Sequence, residues 1–450
     1  MDFLKTLALP QSLQHYRLVL FMMAVITPLL VSYAGALVGA TGLSLWFLRR
    51  GKESQDRELL RDAQRLMGFV LPDKGTPVLL GIIPVWAIMF LSAQVLQGTS
   101  SIGTSAWLAA AVCLSIGIGL LYAYRFAFRL GNILTSYEGL VAAGSESSGG
   151  GEDIVMYHKT MDASGWRAGT YGLVFSFLAL FFIAAAMELT TNPVVSAEVD
   201  SFFVLVLSMN VWLQTIILFV MALGMTGTLI LSWISAGALH EENGPDEHLA
   251  RIALRFSLLS MLVLPLLLTV KILILPDAVL SGWLFAACGT GILLLFAAGH
   301  AIYALHREGG QSYGLIALLL FIGASTSMLT ADQLIMNSAT QEHAVALSVI
   351  HEKATEELRS RLGIVLVKLT GDDIYNAKCS ACHLFEQKKV GPPYLTVLPK
   401  YQGKKAQLIS FILNPQKINP AYPAMPNQAL KPAEADSIAG FILRKAGLKP

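Results

Sequence analysis

Two thiols and an imidazole stand at a spacing that specifies chemistry: Cys379-Ser380-Ala381-Cys382-His383. On one helical turn the two sulfurs can each form a thioether to a vinyl group of the same porphyrin. The adjoining imidazole then lies under the iron. The string therefore reads as a covalent attachment site for one haem c, with His383 as an iron ligand. The other two cysteines, Cys113 and Cys288, stand singly inside apolar runs. They read as small buried hydrophobes, and no disulfide framework is expected.

The flanks add local pattern. Asp372–Lys378 suits a helical lead-in, and Gly391-Pro392-Pro393-Tyr394-Leu395 follows the histidine. Ala406–Leu413 reads as a short helix closed by Asn414-Pro415, and Met425-Pro426 lies in a proline-rich stretch. Lys431–Ala446 reads as a closing helix, with Ile438, Phe441 and Ile442 available to pack on the haem. Together with the attachment string, these segments resemble a class I cytochrome c over residues 366–450. The resemblance implies that the Pro392 carbonyl accepts the ring N–H of His383, which fixes the ring. It also implies Met425 as the second axial ligand. Ordinary packing is the competing reading of Met425, but no other methionine follows Met336, so the domain offers no second candidate. A Met/His pair raises the haem potential relative to two histidines. It leaves no open iron position, so electron relay is expected, not oxygen binding. From Thr370 onward eleven Lys or Arg stand against five Asp or Glu. Lys388, Lys389, Lys400, Lys404 and Lys405 either steer an acidic redox partner or form a solvated face.

The rest of the chain must carry this domain. Of 450 residues, 54% are hydrophobic and only 14% charged, with mean hydropathy +0.60. Soluble domains carry about 25% charged residues, so a membrane protein is expected. The formal net charge of +2 gives no reason to expect nucleic acid. Crossing a bilayer takes about 20 apolar residues. Eight runs qualify: Leu18–Leu48, Pro77–Leu96, Trp107–Tyr124, Gly169–Leu189, Phe202–Ser235, Leu254–Leu275, Trp283–Leu305 and Tyr313–Leu329. Lys and Arg cluster after the odd-numbered runs, while 97–106, 190–201 and 276–282 hold none. The positive-inside rule then puts both termini and the haem on the periplasmic side of a bacterial inner membrane. Haem c is attached on that side, which agrees independently. A cleaved signal peptide fits the first run less well, because the run continues to Leu48 and meets a basic segment.

The expected fold class is all-α: a polytopic bundle of about eight transmembrane helices plus a C-terminal class I cytochrome c domain. The expected divisions are 1–331 bundle, 332–365 linking helix outside the membrane and 366–450 haem domain. The linking helix reads as a spacer or as a dimerising helix. Residues 144–153 read as a flexible polar loop. Gly39-Ala40-Thr41-Gly42 and Gly224-Met225-Thr226-Gly227 recur at an offset of 185 residues, and Pro84 and Pro265 at 181. This suggests two four-helix units from a duplication; chance small-residue spacing is the alternative.

Chemistry in the bundle is sparse. His300 lies well inside a run, with His306 at its end, and reads as a packed or quinone-contacting residue more readily than as a haem b ligand. The other histidines (His15, His158, His240, His248, His343, His351) fall at edges or in loops. Lys271, near the end of the sixth run, is expected to snorkel outward. Glu188, at the end of the fourth, reads as a quinol proton acceptor or a boundary residue, and His15 and Arg17 are similarly placed. The layout resembles the large-subunit family of cytochrome bd-type quinol oxidases: outer N-terminus, two four-helix units, a long first helix and, in some relatives, a C-terminal c-type haem. Met23–Pro28 resembles its first-helix segment and Phe203–Ser235 its fifth helix. Met23 and Met209-Asn210 stand where that family's haem-ligating histidines would be, and the third run has no acid. None of that family's membrane haem ligands can therefore be carried over.

These readings converge on a membrane-anchored mono-haem c-type cytochrome. It would be an electron-transfer subunit of a respiratory complex, relaying electrons between a quinone-linked or partner subunit and a periplasmic redox protein. Two alternatives stay open: a bd-like quinol oxidase or quinol dehydrogenase with haem b in the bundle, and a structural subunit bridging neighbouring cytochromes. Binding of haem b or quinone, and catalytic residues, are left unassigned.

Overall fold

A computed structural model describes residues 11–96, 102–143, 150–191, 199, 201–237, 247–362 and 369–449. Among them there is no strand. The chain divides into two compact units: Met22–Met336, and Met1–Phe21 with Asn337–Pro450. The expected haem-domain boundary at 366 lies outside the described residues, as do most of 144–153 and the link at 97–101.

Among the described residues eight helices are long and apolar enough to cross a membrane. They are Leu13–Ser54, Gly75–Val95, Ile102–Gly131, Lys159–Thr191, Met209–Ser235, His248–Ile274, Gly282–Glu308 and Ser312–Arg361. Each contains or overlaps one of the eight runs. A helix satisfies its own backbone, which is why spanning segments take this form. Packing between helices then depends on close approach. Gly35 lies against Ala222, whose Cα is 3.0 Å from where a Cβ would stand, and a Cβ on Gly39 would strike the side chain of Thr226. The two repeated small-residue strings thus meet across the first and fifth helices. Hydroxyls in these seams bond back to their own helix: Thr226 to the Ala222 carbonyl at 2.8 Å and Thr228 to the Gly224 carbonyl at 2.9 Å.

Three features differ from expectation. The basic segment after the first span is an amphipathic helix, Arg57–Val70, burying Leu59, Ala63, Leu66, Met67 and Val70. Asp56 caps it, accepting from the Glu58 and Leu59 N–H groups at 2.9 and 3.4 Å. The fifth span is not continuous from Phe202. A short helix, Phe202–Leu207, is separated from Met209–Ser235 by Ser208, whose backbone is extended (ψ 118°). The Trp212 indole N–H donates to the Val206 carbonyl at 2.7 Å, satisfying backbone beside the break. The eighth span does not stop near Leu329. One helix runs unbroken from Gln311 to Arg361, so the helix expected over 332–365 continues the last span as far as Arg361.

In the second unit this long helix is a packed element. Its Val345 belongs to the same core as Ile374, Tyr375, Leu398, Ile438 and Ile442. Glu352 accepts from the Ala433 N–H at 2.6 Å, at the start of the closing helix Pro432–Lys445. Lys353 lies 3.7 Å and Lys405 2.8 Å from the Asp436 carboxylate. At the N-terminal side, the Tyr16 hydroxyl donates to Thr340. From Val345 to Lys353 this helix is therefore packed on and bonded to the haem domain.

Candidate haem-attachment site

The attachment segment begins with a capped turn. Thr370 and Asp373 form a reciprocal box: the Thr370 hydroxyl accepts from the Asp373 N–H at 3.2 Å, and the Asp373 carboxylate accepts from the Thr370 N–H at 2.8 Å. Bonds from Thr370 hold the Asp373 carboxyl below the usual carboxylate range. After Gly371–Ile374 the backbone widens over Tyr375–Cys379, with the Ser380 N–H on the Tyr375 carbonyl at 2.8 Å. Gly371 meets Phe441 and the Ser437 backbone of the closing helix so closely that a side chain would not fit.

The motif residues are brought together tightly. The His383 N–H donates to the Cys379 carbonyl at 2.9 Å, and the Gly391 and Val390 N–H groups donate to the Cys382 carbonyl at 2.9 and 3.2 Å. The loop after the histidine is thereby pinned onto the motif. His383 Nδ1–H donates to the Pro392 carbonyl at 3.0 Å, the one role that a carbonyl oxygen allows. That bond leaves Nε2 as the lone-pair nitrogen, the form that ligates a metal. A Cβ on Gly391 would run into the His383 ring, so this position requires glycine. Tyr394, Tyr375, Phe385 and Phe441 form an aromatic cluster around these residues, with Tyr394 parallel to His383 at 4.9 Å between ring centroids. Lys445 Nζ lies 5.0 Å from the Phe385 ring and 5.4 Å from Tyr375, a cation–π cap on the cluster. Cys379 is buried and Cys382 half-buried, and neither is in a disulfide. Burial pushes the Cys379 thiol up, and a hydrogen bond with Tyr394 opposes that rise.

Two thiols, plus an imidazole whose other nitrogen is already committed, are the donor set that a covalently attached haem needs. The residues present fit the group. Met425 is half-buried in the irregular stretch between Leu413 and Leu430. Its loop is anchored from both sides. Asn427 bonds the Leu413 carbonyl at 3.1 Å and accepts from the Ala429 N–H at 2.8 Å, with Ala429 at φ +50°. Lys378, next to Cys379, donates to the Gln428 carbonyl at 3.1 Å. Sequence reasoning missed Lys378 and Asn427 as positioning residues. The signal for Asn427 was an Asx turn two residues after Met425. Ile438 and Ile442 are buried in the same core as Cys379, and Phe441 packs on Tyr375.

In the bundle two expectations are corrected. Lys271 does not snorkel outward. It is buried, donating to Gln214 Oε1 at 2.7 Å and Asp332 Oδ1 at 2.5 Å, and Gln214 Nε2 closes the triangle on Asp332 Oδ2 at 3.1 Å. In low dielectric a lysine reaches a buried carboxylate in preference to a distant surface. A cavity of about 10 Å³, room for one water, lies between Lys271, Gln214, Asn210 and Glu188. Glu188 is buried. His300 is not packed in the bundle; its ring is exposed beside Tyr303. Its depth in the run was read correctly, but its helical face was not. His15, Arg17 and His306 are exposed, and the side chains of His158 and His240 lie outside the described residues. Among the described residues no group of three or more His, Cys, Asp or Glu is placed to hold a metal ion.

Comparison with known proteins covers the C-terminal domain. The sequence profile of the cytochrome c family matches residues 369–445. Cytochrome c-551 of Pseudomonas denitrificans is 37% identical over 78 residues, which is 16% of this chain and 95% of that protein. Through this domain, which carries covalently bound haem c and transfers electrons, the chain belongs to the cytochrome c family.

Proposed function

We propose that the chain is a membrane-anchored mono-haem cytochrome serving as an electron-transfer subunit of a respiratory complex in the bacterial inner membrane. Cys379 and Cys382 hold the haem, His383 and Met425 are its axial ligands, and Pro392 orients the His383 ring. The bound haem supplies one-electron redox chemistry. The chain's own residues fix it, exclude solvent through the aromatic cluster and present its surroundings to a partner. The observation that carries this reading is the His383–Pro392 hydrogen bond at 3.0 Å, with Gly391 leaving room for the ring. Support for a periplasmic haem comes from the alternation of Lys/Arg-rich and Lys/Arg-free loops.

An acidic periplasmic redox protein is the proposed partner on one side, and a quinone-linked or neighbouring membrane subunit on the other. Lys388, Lys389, Lys400 and Lys404 are exposed and suit electrostatic steering. Lys405 does not join them, because Asp436 neutralises it at 2.8 Å. The test is a pyridine haemochrome on the purified chain together with carbon monoxide binding to its reduced form. One haem c, no haem b and no carbon monoxide binding are expected. Met425→Ala should then open the iron and bind carbon monoxide. Haem b in the wild-type chain would replace this reading with the bd-like quinol oxidase.

A further inference from the structure

The bundle contains a large groove. It has a volume of about 690 Å³ and lies between the first, fourth, fifth and sixth spanning helices. Gly39, Gly42, Trp46, Phe177 and Phe219 are among its walls, and Arg255 is the one charged residue among those that line it. Two glycines on the first helix have opposite roles. Gly39 brings the helix hard against Thr226 of the fifth, whereas a Cβ on Gly42 would meet nothing within 4 Å. The tight contact sets one wall, and the missing side chain at Gly42 opens the space beside it. Phe177 and Phe219 meet edge to face, centroids 6.0 Å apart, farther along their helices from the end where Trp46 and Arg255 lie. Arg50 follows Trp46 and adds positive charge at that end, whereas Arg49 is paired with Glu53 at 3.0 Å.

We propose that this groove holds the acyl chains of one anionic phospholipid, with its phosphate on Arg255. The walls offer length and an apolar lining, which suit hydrocarbon chains. They offer one exposed cation, Arg255, at one end, which suits a phosphate diester. A quinone head would ask for donors to two carbonyls and an acceptor for its protons, and no carboxylate or hydroxyl lines the groove. Within a bilayer an acyl chain gains little by leaving bulk lipid for a protein groove, because both are equally apolar. Selection therefore falls to the head group. A single basic residue near the membrane surface is worth about fivefold in lipid affinity.

The experiment uses the full chain, purified with its haem and incubated in detergent micelles with phosphatidylglycerol or phosphatidylcholine of matched acyl chains. Native mass spectrometry counts retained lipid, and quinone is extracted and quantified in parallel. The expected result is one retained phosphatidylglycerol per chain, favoured about fivefold over phosphatidylcholine. Arg255→Gln should abolish the preference. Gly42→Leu should fill the groove and reduce retention of both lipids, with haem content and circular dichroism matching the parent. Equal retention of the two lipids by the parent, or retention unchanged in both variants, overturns the proposal. Stoichiometric quinone lost on Gly42→Leu overturns it too.

Discussion

The haem-attachment segment and the Lys271 cluster are both sets of side chains held by hydrogen bonds, but they are built in opposite ways. At the attachment site the backbone does most of the holding: the Cys379, Cys382 and Pro392 carbonyls each take a bond from within a dozen residues. In the bundle, the helix backbones are largely satisfied within their own helices, so bonds between helices begin from side chains. Lys271 accordingly draws its partners from 57 and 61 positions away. A site made by a folded loop is written in consecutive residues. A site made between spanning helices is written only in their packing.

Breaking each site should show the difference. The largest effect is expected from Cys379→Ala combined with Cys382→Ala. Covalent haem should fall from one per chain to none, while the apolar bundle still accumulates in membranes; loss of the whole chain would mean the two regions fold together. Next is Lys271→Met, which strands the Asp332 carboxylate in a buried site. Removing one partner of a buried pair costs about 3–5 kcal/mol, whereas replacing both with apolar residues is often neutral. Thermal unfolding in detergent should therefore show Lys271→Met combined with Asp332→Leu recovering most of what Lys271→Met alone loses. A double variant no better than the single would show that the pair is not coupled.

A smaller and more local effect is expected at two glycines, one from each region. Overpacking of this kind costs about 1–3 kcal/mol. Gly391→Ala should displace the His383 ring and move the haem midpoint potential. Gly39→Ala should push the first helix off Thr226 and lower bundle stability with the potential unchanged. A potential shift from both would blur the distinction between the regions. The smallest effect concerns pH. Asp373 has its folded pKa lowered by Thr370, so its contribution is present above the unfolded value, about 3.9. It is lost as pH falls through the folded value. Asp373→Asn should therefore flatten the acid limb of the haem domain's stability curve and change nothing near pH 7, as followed by haem absorbance during melts.

How much could be read beforehand follows the same division. The attachment string and the eight apolar runs are local patterns, legible from spacing and length, while the Pro392 contact was implied by the resemblance to class I cytochromes c. Asp332 escaped notice because the apolar run ends at Leu329, and length alone did not say that the helix stays buried for another turn. The Ser208 break was hidden inside continuous hydrophobicity, since an extended residue leaves no mark on hydropathy. His300 shows the complementary failure: hydropathy locates a residue along a membrane helix but not around it. The helix Arg57–Val70 was legible and overlooked. Its apolar residues at 59, 63, 66, 67 and 70 fall on one helical face, behind a conspicuous row of arginines.

The bonds from Glu352 and Lys353 to the closing helix bear on kinetics. They hold residues 337–361 and the haem-bearing segments in one compact unit, so the electron carrier has no swing of its own against this helical segment. A carrier on a loose tether would show a first-order ceiling set by its own swing. A carrier without such a swing would make the observed rate scale with how often its soluble partner collides in a competent orientation. In the respiratory role proposed above, throughput would then be governed by the partner's concentration and by the ionic strength through which it diffuses.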